Sequence, residues 1–165
     1  NIVNQMYKDN WRPDYIVGIT RGGNVPATII SNMTGIRCDA LKVSLRDDKD
    51  GLGSESNLWM SEDAFGYVSD DALKVTGGPL EKKILIVDDI NDTGATFNWI
   101  KQDWQSSCLP NDPKWERVWG NNVRFATLTD NGASNFDEVN YTCHEINKAE
   151  EDVWLVYPWE NVGEY

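Results

Sequence analysis

Histidine is almost missing from this chain of 165 residues: His144 stands alone, and cysteine is limited to Cys38, Cys108 and Cys143. A serine–histidine dyad or a histidine-based metal site would have to use His144, which lies in the polar stretch Tyr141–Asn147. Three cysteines this far apart make neither a disulfide framework nor a CxxC zinc site, and an odd count suits a reducing cytoplasm with buried thiols. No apolar run approaches the ~18 residues that cross a bilayer, and the first residues show no basic-then-apolar leader pattern. The chain begins at Asn1 rather than at a methionine, which leaves room for native sequence ahead of it. Positive charge is scarce too: 15 Lys and Arg against 27 Asp and Glu leave −12 with the histidine neutral. That surplus opposes diffuse contact with a polyanion, so neither nucleic acid nor an acidic membrane is an expected partner.

What is present is ordinary for a globular protein: 40% hydrophobic and 25% charged residues exclude disorder and fibrous repeats. A chain of this length is expected to be a single domain, 1–165, with one core. The acidic clusters at Asp47, Asp48 and Asp50, at Asp70 and Asp71, and at Glu150, Glu151 and Asp152 read as solvated turns.

Strand-length apolar runs alternate with segments that can be helical. Tyr15–Ile19 is β-rich and closed by Thr20-Arg21-Gly22-Gly23, after which Val25–Met33 reads as a helix ending near Gly35. Ala40–Leu45 alternates. From Arg46 to Pro79 there is little periodicity, the mark of a flap or a disordered tract; Trp59, Phe65 and Tyr67 favour a flap that packs down. The run Ile84–Val87 then leads into Asp88-Asp89-Ile90-Asn91-Asp92-Thr93-Gly94-Ala95-Thr96. Behind it Phe97, Ile100 and Trp104 share one face of a helix reaching about Ser107. Arg124–Thr129 and Val153–Tyr157 are further strand candidates, and the tryptophans of Trp99–Trp119 read as core or subunit-interface anchors. The pattern predicts an α/β fold with a mostly parallel sheet flanked by helices, with ligands gathering where strands end and helices begin.

The stretch Asp88–Thr96 carries the chemistry. A buried strand that ends in two carboxylates would leave costly charges unless something binds them. The helix directly behind offers unpaired amides and a positive dipole end for a phosphate, Thr93 and Thr96 add hydroxyl donors, and Gly94 allows close approach. An ordinary N-cap at Asp92 or Thr93 would account for one of these residues but not for Asp88 and Asp89. There is no GxxxxGK[ST], so a P-loop nucleotidase is excluded, and the DDxxD letters follow a strand rather than sitting on a helix of an all-helical chain.

The run ILIVDDINDTGAT resembles the phosphoribosyl-pyrophosphate (PRPP) signature of type I phosphoribosyltransferases. Val17–Ala27 is similar to the pyrophosphate-loop region of the xanthine/guanine/hypoxanthine branch, and Asp152–Glu160 to that branch's nucleobase-binding end. The three blocks lie in the family's order. The resemblance implies that Asp88 and Asp89 face the ribose hydroxyls of PRPP and its Mg²⁺, and that Asp92, Thr93, Gly94, Ala95 and Thr96 hold the 5′-phosphate. It implies that Arg21 and the Gly22 amide contact pyrophosphate, often beside a strained or cis peptide. Trp154 would stack on the base, with the Leu155 backbone and Glu160 reading its edge. Asp92 is the candidate catalytic residue, handling the proton near the imidazole part of a purine. Purine-specific members carry a lysine just after the strand corresponding to Arg124–Thr129; here the nearest match by position is Asn131, and Asp130 beside it would favour a base presenting an amino group.

The implied reaction transfers the phosphoribosyl group from PRPP to a nucleobase, giving nucleoside monophosphate and pyrophosphate in a cytoplasmic homodimer with a flap at 46–79 and a small hood. With so acidic a chain, PRPP binding is expected to need Mg²⁺. The alternative on the same fold is a non-catalytic protein that senses PRPP or a nucleotide.

Overall fold

Successive residues of a strand point to opposite faces, so a run as apolar as Ile84-Leu85-Ile86-Val87 needs cover on both sides. The computed structural model, which describes residues 1–45, 54–67, 81–151 and 153–160, provides that cover. Strands β1 (Tyr15–Thr20), β2 (Cys38–Lys42), β3 (Ile84–Asn91), β4 (Val123–Asn131) and β5 (Tyr141–Ile146) form one sheet in the order β2-β1-β3-β4-β5. All four pairings are parallel, as the alternating pattern predicts. Ile84 and Ile86 enter one core with Tyr15, Val17, Phe97 and Phe125, beneath α3 (Leu58–Phe65), α4 (Ala95–Ser107) and α5 (Trp115–Val118). Leu85 and Val87 enter the other with Ile16, Ala27, Ile30 and Tyr141, beneath α1 (Ile2–Lys8) and α2 (Asn24–Thr34).

Local signals set several boundaries closely. Helix α2 spans the expected Val25–Met33 with one residue added at each end and closes at Gly35, whose φ of 74° suits glycine. Helix α4 buries the expected Phe97, Ile100 and Trp104. Trp104 and Trp115 are fully buried and Trp99 and Trp119 pack against the same core, so the tryptophan-rich tract is core. Trp119 joins the stack between Trp115 and Phe125, with ring centres 5.5 and 6.1 Å away.

Other expectations change. Val153–Tyr157 is not a strand; it has no regular structure, and Trp154 and Val156 stand exposed. A strand requires a ladder partner, and the place beside β4 is taken by β5, the stretch that read as merely polar. Its edge position leaves Cys143 and His144 exposed, so only Cys108 of the three thiols is buried, while Cys38 is half-buried. Helix α1 had no clear periodic signal. Of the expected flap, residues 46–53 and 68–80 lie outside the described residues. The part between them contains α3, started by the Asn57 side chain accepting from the Met60 amide at 3.0 Å and docked on α4 by the Ser61 hydroxyl donating to the Trp104 carbonyl. Of the three aromatics, Phe65 is buried, whereas Trp59, 5.6 Å from the Tyr15 ring, and Tyr67 are exposed.

Candidate active site

Five parallel strands deliver their carboxyl ends to one edge, and the loops leaving that edge carry the candidate residues. The first loop, Arg21–Gly23, joins β1 to α2. Its Thr20–Arg21 peptide is cis, the form implied beside this arginine, and Arg21 is exposed. Gly23 has no room for a side chain, and Gly22 has none without moving the Asp89 carboxylate. A β-carbon on Gly23 would lie 2.3 Å from the Val87 carbonyl, and one on Gly22 would lie 2.2 Å from an Asp89 carboxylate oxygen. The loop therefore lies directly on the end of β3, and its close approach brings the Gly22 backbone against Asp89.

Strand β3 continues through both aspartates to Asn91. Asp88 and Asp89 are half-buried. The Asp89 amide donates to the Asp88 carboxylate and the Ile90 amide to the Asp89 carboxylate, both at 2.8 Å. The turn then reaches Gly94, which has φ 88° and begins α4. A β-carbon there would meet the Phe136 amide at 2.6 Å, so the loop after β4 packs against the turn from outside. Thr93 and Ala95 remain exposed and Asp92 and Thr96 half-exposed, leaving the first turn of a 13-residue helix open to an anion.

A residue that sequence reasoning passed over locks this turn in place. Asn91 is 3% exposed; its amide donates to the Asp130 carboxylate and the Phe136 carbonyl, each at 2.9 Å, and its oxygen accepts from the Ser134 hydroxyl at 3.0 Å. The signal was a lone amide at the end of a buried strand, where an unpaired polar group is costly. Burial raises the Asp130 carboxyl above its ordinary range; the Asn91 hydrogen bond opposes the shift and the charge of Glu145 adds to it. Asp130 and Glu145 also border a hollow of about 450 Å³ with Gly132, Ile146 and Asn147.

Asn131, the expected base reader, is buried and bonded within the scaffold. Its amide donates to the Asp92 carbonyl at 2.9 Å, and its oxygen accepts from the Ala133 and Lys148 amides at 3.1 and 3.0 Å. The cation at this side of the site is Lys148, which had no sequence signal. Its ammonium pairs with the Asp92 carboxylate at 2.9 Å and lies 5.9 Å from the Trp154 ring centre.

Trp154, expected under the base, is 78% exposed, and Leu155 beside it is half-buried. This irregular segment is held by Tyr157. Its hydroxyl donates to the Asp89 carbonyl at 3.2 Å and lies 2.6 Å from the Thr129 hydroxyl, and its ring stacks on Trp159 at 5.1 Å. Burial lifts the Tyr157 hydroxyl above its ordinary range, against the lowering effect of the Thr129 bond and with the charge of Asp89 adding to the rise.

The structure thus brings Arg21, Gly22, Asp88, Asp89, the Asp92–Thr96 turn and the Trp154 segment to the same end of the sheet. Residues 1–158 match the family model of the phosphoribosyl transferase domain. The chain belongs to that family. Similar phosphoribosyltransferases include the hypoxanthine-guanine phosphoribosyltransferase of Schizosaccharomyces pombe, 25% identical over 171 residues that cover 92% of this chain and 79% of that protein. Another is the xanthine-guanine phosphoribosyltransferase of Cereibacter sphaeroides, 25% identical over 155 residues, 94% of this chain and 72% of that protein. The crystal structure of a purine phosphoribosyltransferase from Pyrococcus horikoshii shares the fold, with a TM-score of 0.59 at 19% identity over 99% of this chain and 88% of that one. The resemblance to the purine branch of type I phosphoribosyltransferases is borne out, and with it phosphoribosyl transfer from PRPP to a nucleobase. No helix among the described residues is long and apolar enough to cross a membrane.

Proposed function

We propose that this phosphoribosyltransferase is Mg²⁺-dependent and joins the phosphoribosyl group of PRPP to a purine base, releasing pyrophosphate and a nucleoside monophosphate. The observation that carries the reading is the contact between the loop after β1 and the end of β3: the Gly22 backbone, proposed for the leaving group, touches the Asp89 carboxylate, proposed for the sugar.

The roles follow from position. The first amides of α4, with Thr93 and Thr96, hold the 5′-phosphate through hydrogen bonds and the helix dipole. Asp88 and Asp89 accept from the ribose hydroxyls and fix the anomeric carbon opposite Arg21, whose guanidinium and the neighbouring Gly22 amide neutralise the departing pyrophosphate. Trp154 gives the base a stacking face and the Leu155 backbone reads its edge. Asp92 accepts the proton that the attacking purine loses, and the flap excludes water that would hydrolyse PRPP.

Among the described residues no three His, Cys, Asp or Glu side chains gather into a metal cage. Two adjacent carboxylates at a strand end fit instead an ion such as magnesium, which takes one or two protein carboxylates and completes its shell with water and substrate oxygens. Asp88 and Asp89 would hold it, directly or through water, and when bound it would supply positive charge to the phosphates of PRPP. A cytoplasmic homodimer belongs to the same reading and rests on the family resemblance.

The test is a pyrophosphate-release assay with PRPP, Mg²⁺ and guanine, xanthine, hypoxanthine, adenine, uracil or orotate, paired with PRPP binding in magnesium and in chelator. The expected result is turnover with at least one purine and PRPP binding that collapses in chelator. Silence across all six bases with PRPP still bound would replace this reading by a non-catalytic sensor, and equal PRPP affinity in chelator would remove the metal.

A further inference from the structure

We propose that Lys148 and Tyr157 are positioning residues that fasten the base-binding segment to the PRPP turns, so that the affinity for the base depends on these two contacts. The inference rests on the transferase reading above and deepens it.

The segment Val153–Glu160 has no helix and no strand, and Trp154 at its start is 78% exposed. A run of this kind has no ladder to hold it and loses much conformational freedom when it is ordered against a ligand. Two side chains supply the missing restraint, one ahead of the segment and one within it. Ahead of it, three contacts close a ring: the Lys148 ammonium on the Asp92 carboxylate at 2.9 Å, the Lys148 amide on the Asn131 oxygen at 3.0 Å, and the Asn131 amide on the Asp92 carbonyl at 2.9 Å. The ring ties the turns after β3, β4 and β5 together. The same ammonium faces the Trp154 ring at 5.9 Å, within the range where a cation is attracted to an indole face.

Within the segment, the Tyr157 hydroxyl crosses to the sheet, donating to the Asp89 carbonyl and taking the Thr129 hydroxyl as its second partner. Both anchors end on aspartates of the PRPP motif, Asp92 by its carboxylate and Asp89 by its backbone. The base platform is thus fastened to the residues that hold the phosphoribosyl group. When the anchors are cut, the platform occupies its working position for a smaller fraction of the time, and the apparent affinity for the base falls by that fraction.

The experiment compares Tyr157→Phe and Lys148→Met with the parent chain, by steady-state kinetics with the base found active and by amide hydrogen exchange of the ligand-free proteins. The expected result is faster exchange across Val153–Glu160 in both variants, and a KM for the base raised about 5- to 30-fold, the range of one lost hydrogen bond or ion pair. For Tyr157→Phe, which leaves the Asp92 carboxylate paired with Lys148, PRPP affinity should stay within about twofold, and kcat should change by a smaller factor than KM, as for a lost binding contact. Lys148→Arg, which keeps the charge, should recover most of the loss. Unchanged exchange and unchanged base KM in both variants would overturn the proposal, as would a parallel fall in PRPP affinity in Tyr157→Phe. A parent chain that turns over no base would refute the transferase reading alone, and the exchange measurement would still decide whether the two anchors hold the segment.

Discussion

The two halves of the site are built by different means. The half proposed to face PRPP is built by close packing: Gly23 lies on the backbone of β1 and β3, Gly22 on the Asp89 carboxylate, Gly94 against the loop after β4, and buried Asn91 ties that loop to the strand. The half proposed to face the base is an irregular segment with its aromatic side chain Trp154 in solvent, held by side chains that reach across. Atoms that must meet a developing charge need a site already in place, whereas recognition of a base tolerates a segment that settles on its ligand. On the proposed roles, the difference assigns catalytic precision to β1 and β3 and base selection to the chain beyond β5.

Three substitutions sharpen or break that contrast. The largest effect is expected from Asp92→Asn, which keeps shape and removes the proton acceptor; turnover should fall about 10²–10⁴-fold, the usual span for a general acid or base. Near-normal kcat in a steady-state assay would take the proton role away from Asp92. Next comes Gly23→Ala, whose new carbon would sit 2.3 Å from the Val87 carbonyl and 2.8 Å from the Ile19 amide nitrogen. Urea unfolding should show a loss of about 1–3 kcal/mol or more, as for overpacking in a core. In the same assay Trp154→Ala, at a side chain 78% exposed, should change stability by no more than about 0.5 kcal/mol. Equal losses in the two variants would erase the distinction between a packed half and a loose one.

The smallest effect concerns Asp130. Burial raises its pKa in the folded chain above the unfolded value, so the native state holds the proton more tightly. The stability this contributes is fully present below the unfolded pKa and is lost as pH rises through the folded pKa. Asp130→Asn still offers Asn91 an oxygen but carries no charge, so its melting temperature should exceed that of the parent near pH 7 and the gap should close toward pH 4. A gap that stayed constant with pH would mean that the Asp130 charge is not the cause.

Much of this was legible in the residues alone. The strand Ile84–Val87, the turn through Thr96 and the apolar face of Phe97, Ile100 and Trp104 are local patterns, and the structure realises them nearly to the residue. Tyr141–Ile146 was not legible because an edge strand buries only Tyr141 fully and its polar residues hide the alternation. Val153–Tyr157 misled in the opposite sense: its continuous apolar run is that of a strand, but the place beside β4 is taken by β5. In the site, Asp88, Asp89 and Asp92–Thr96 stand together in one motif, whereas Asn91, Lys148 and Tyr157 matter through partners 17 to 68 positions away.

The sequence by itself determined the class of fold, the phosphate-binding turn and the acidic pair before it, because a buried strand, a glycine turn and a helix start are all specified by neighbours along the chain. Tertiary structure alone decided what holds the base-binding segment, which amide locks the turn, and that Asn131 serves the scaffold while Lys148 meets Asp92. Those outcomes depend on which strand ends become adjacent in the sheet. Spacing along one chain does not encode that adjacency until the parallel pairing of β3, β4 and β5 creates it.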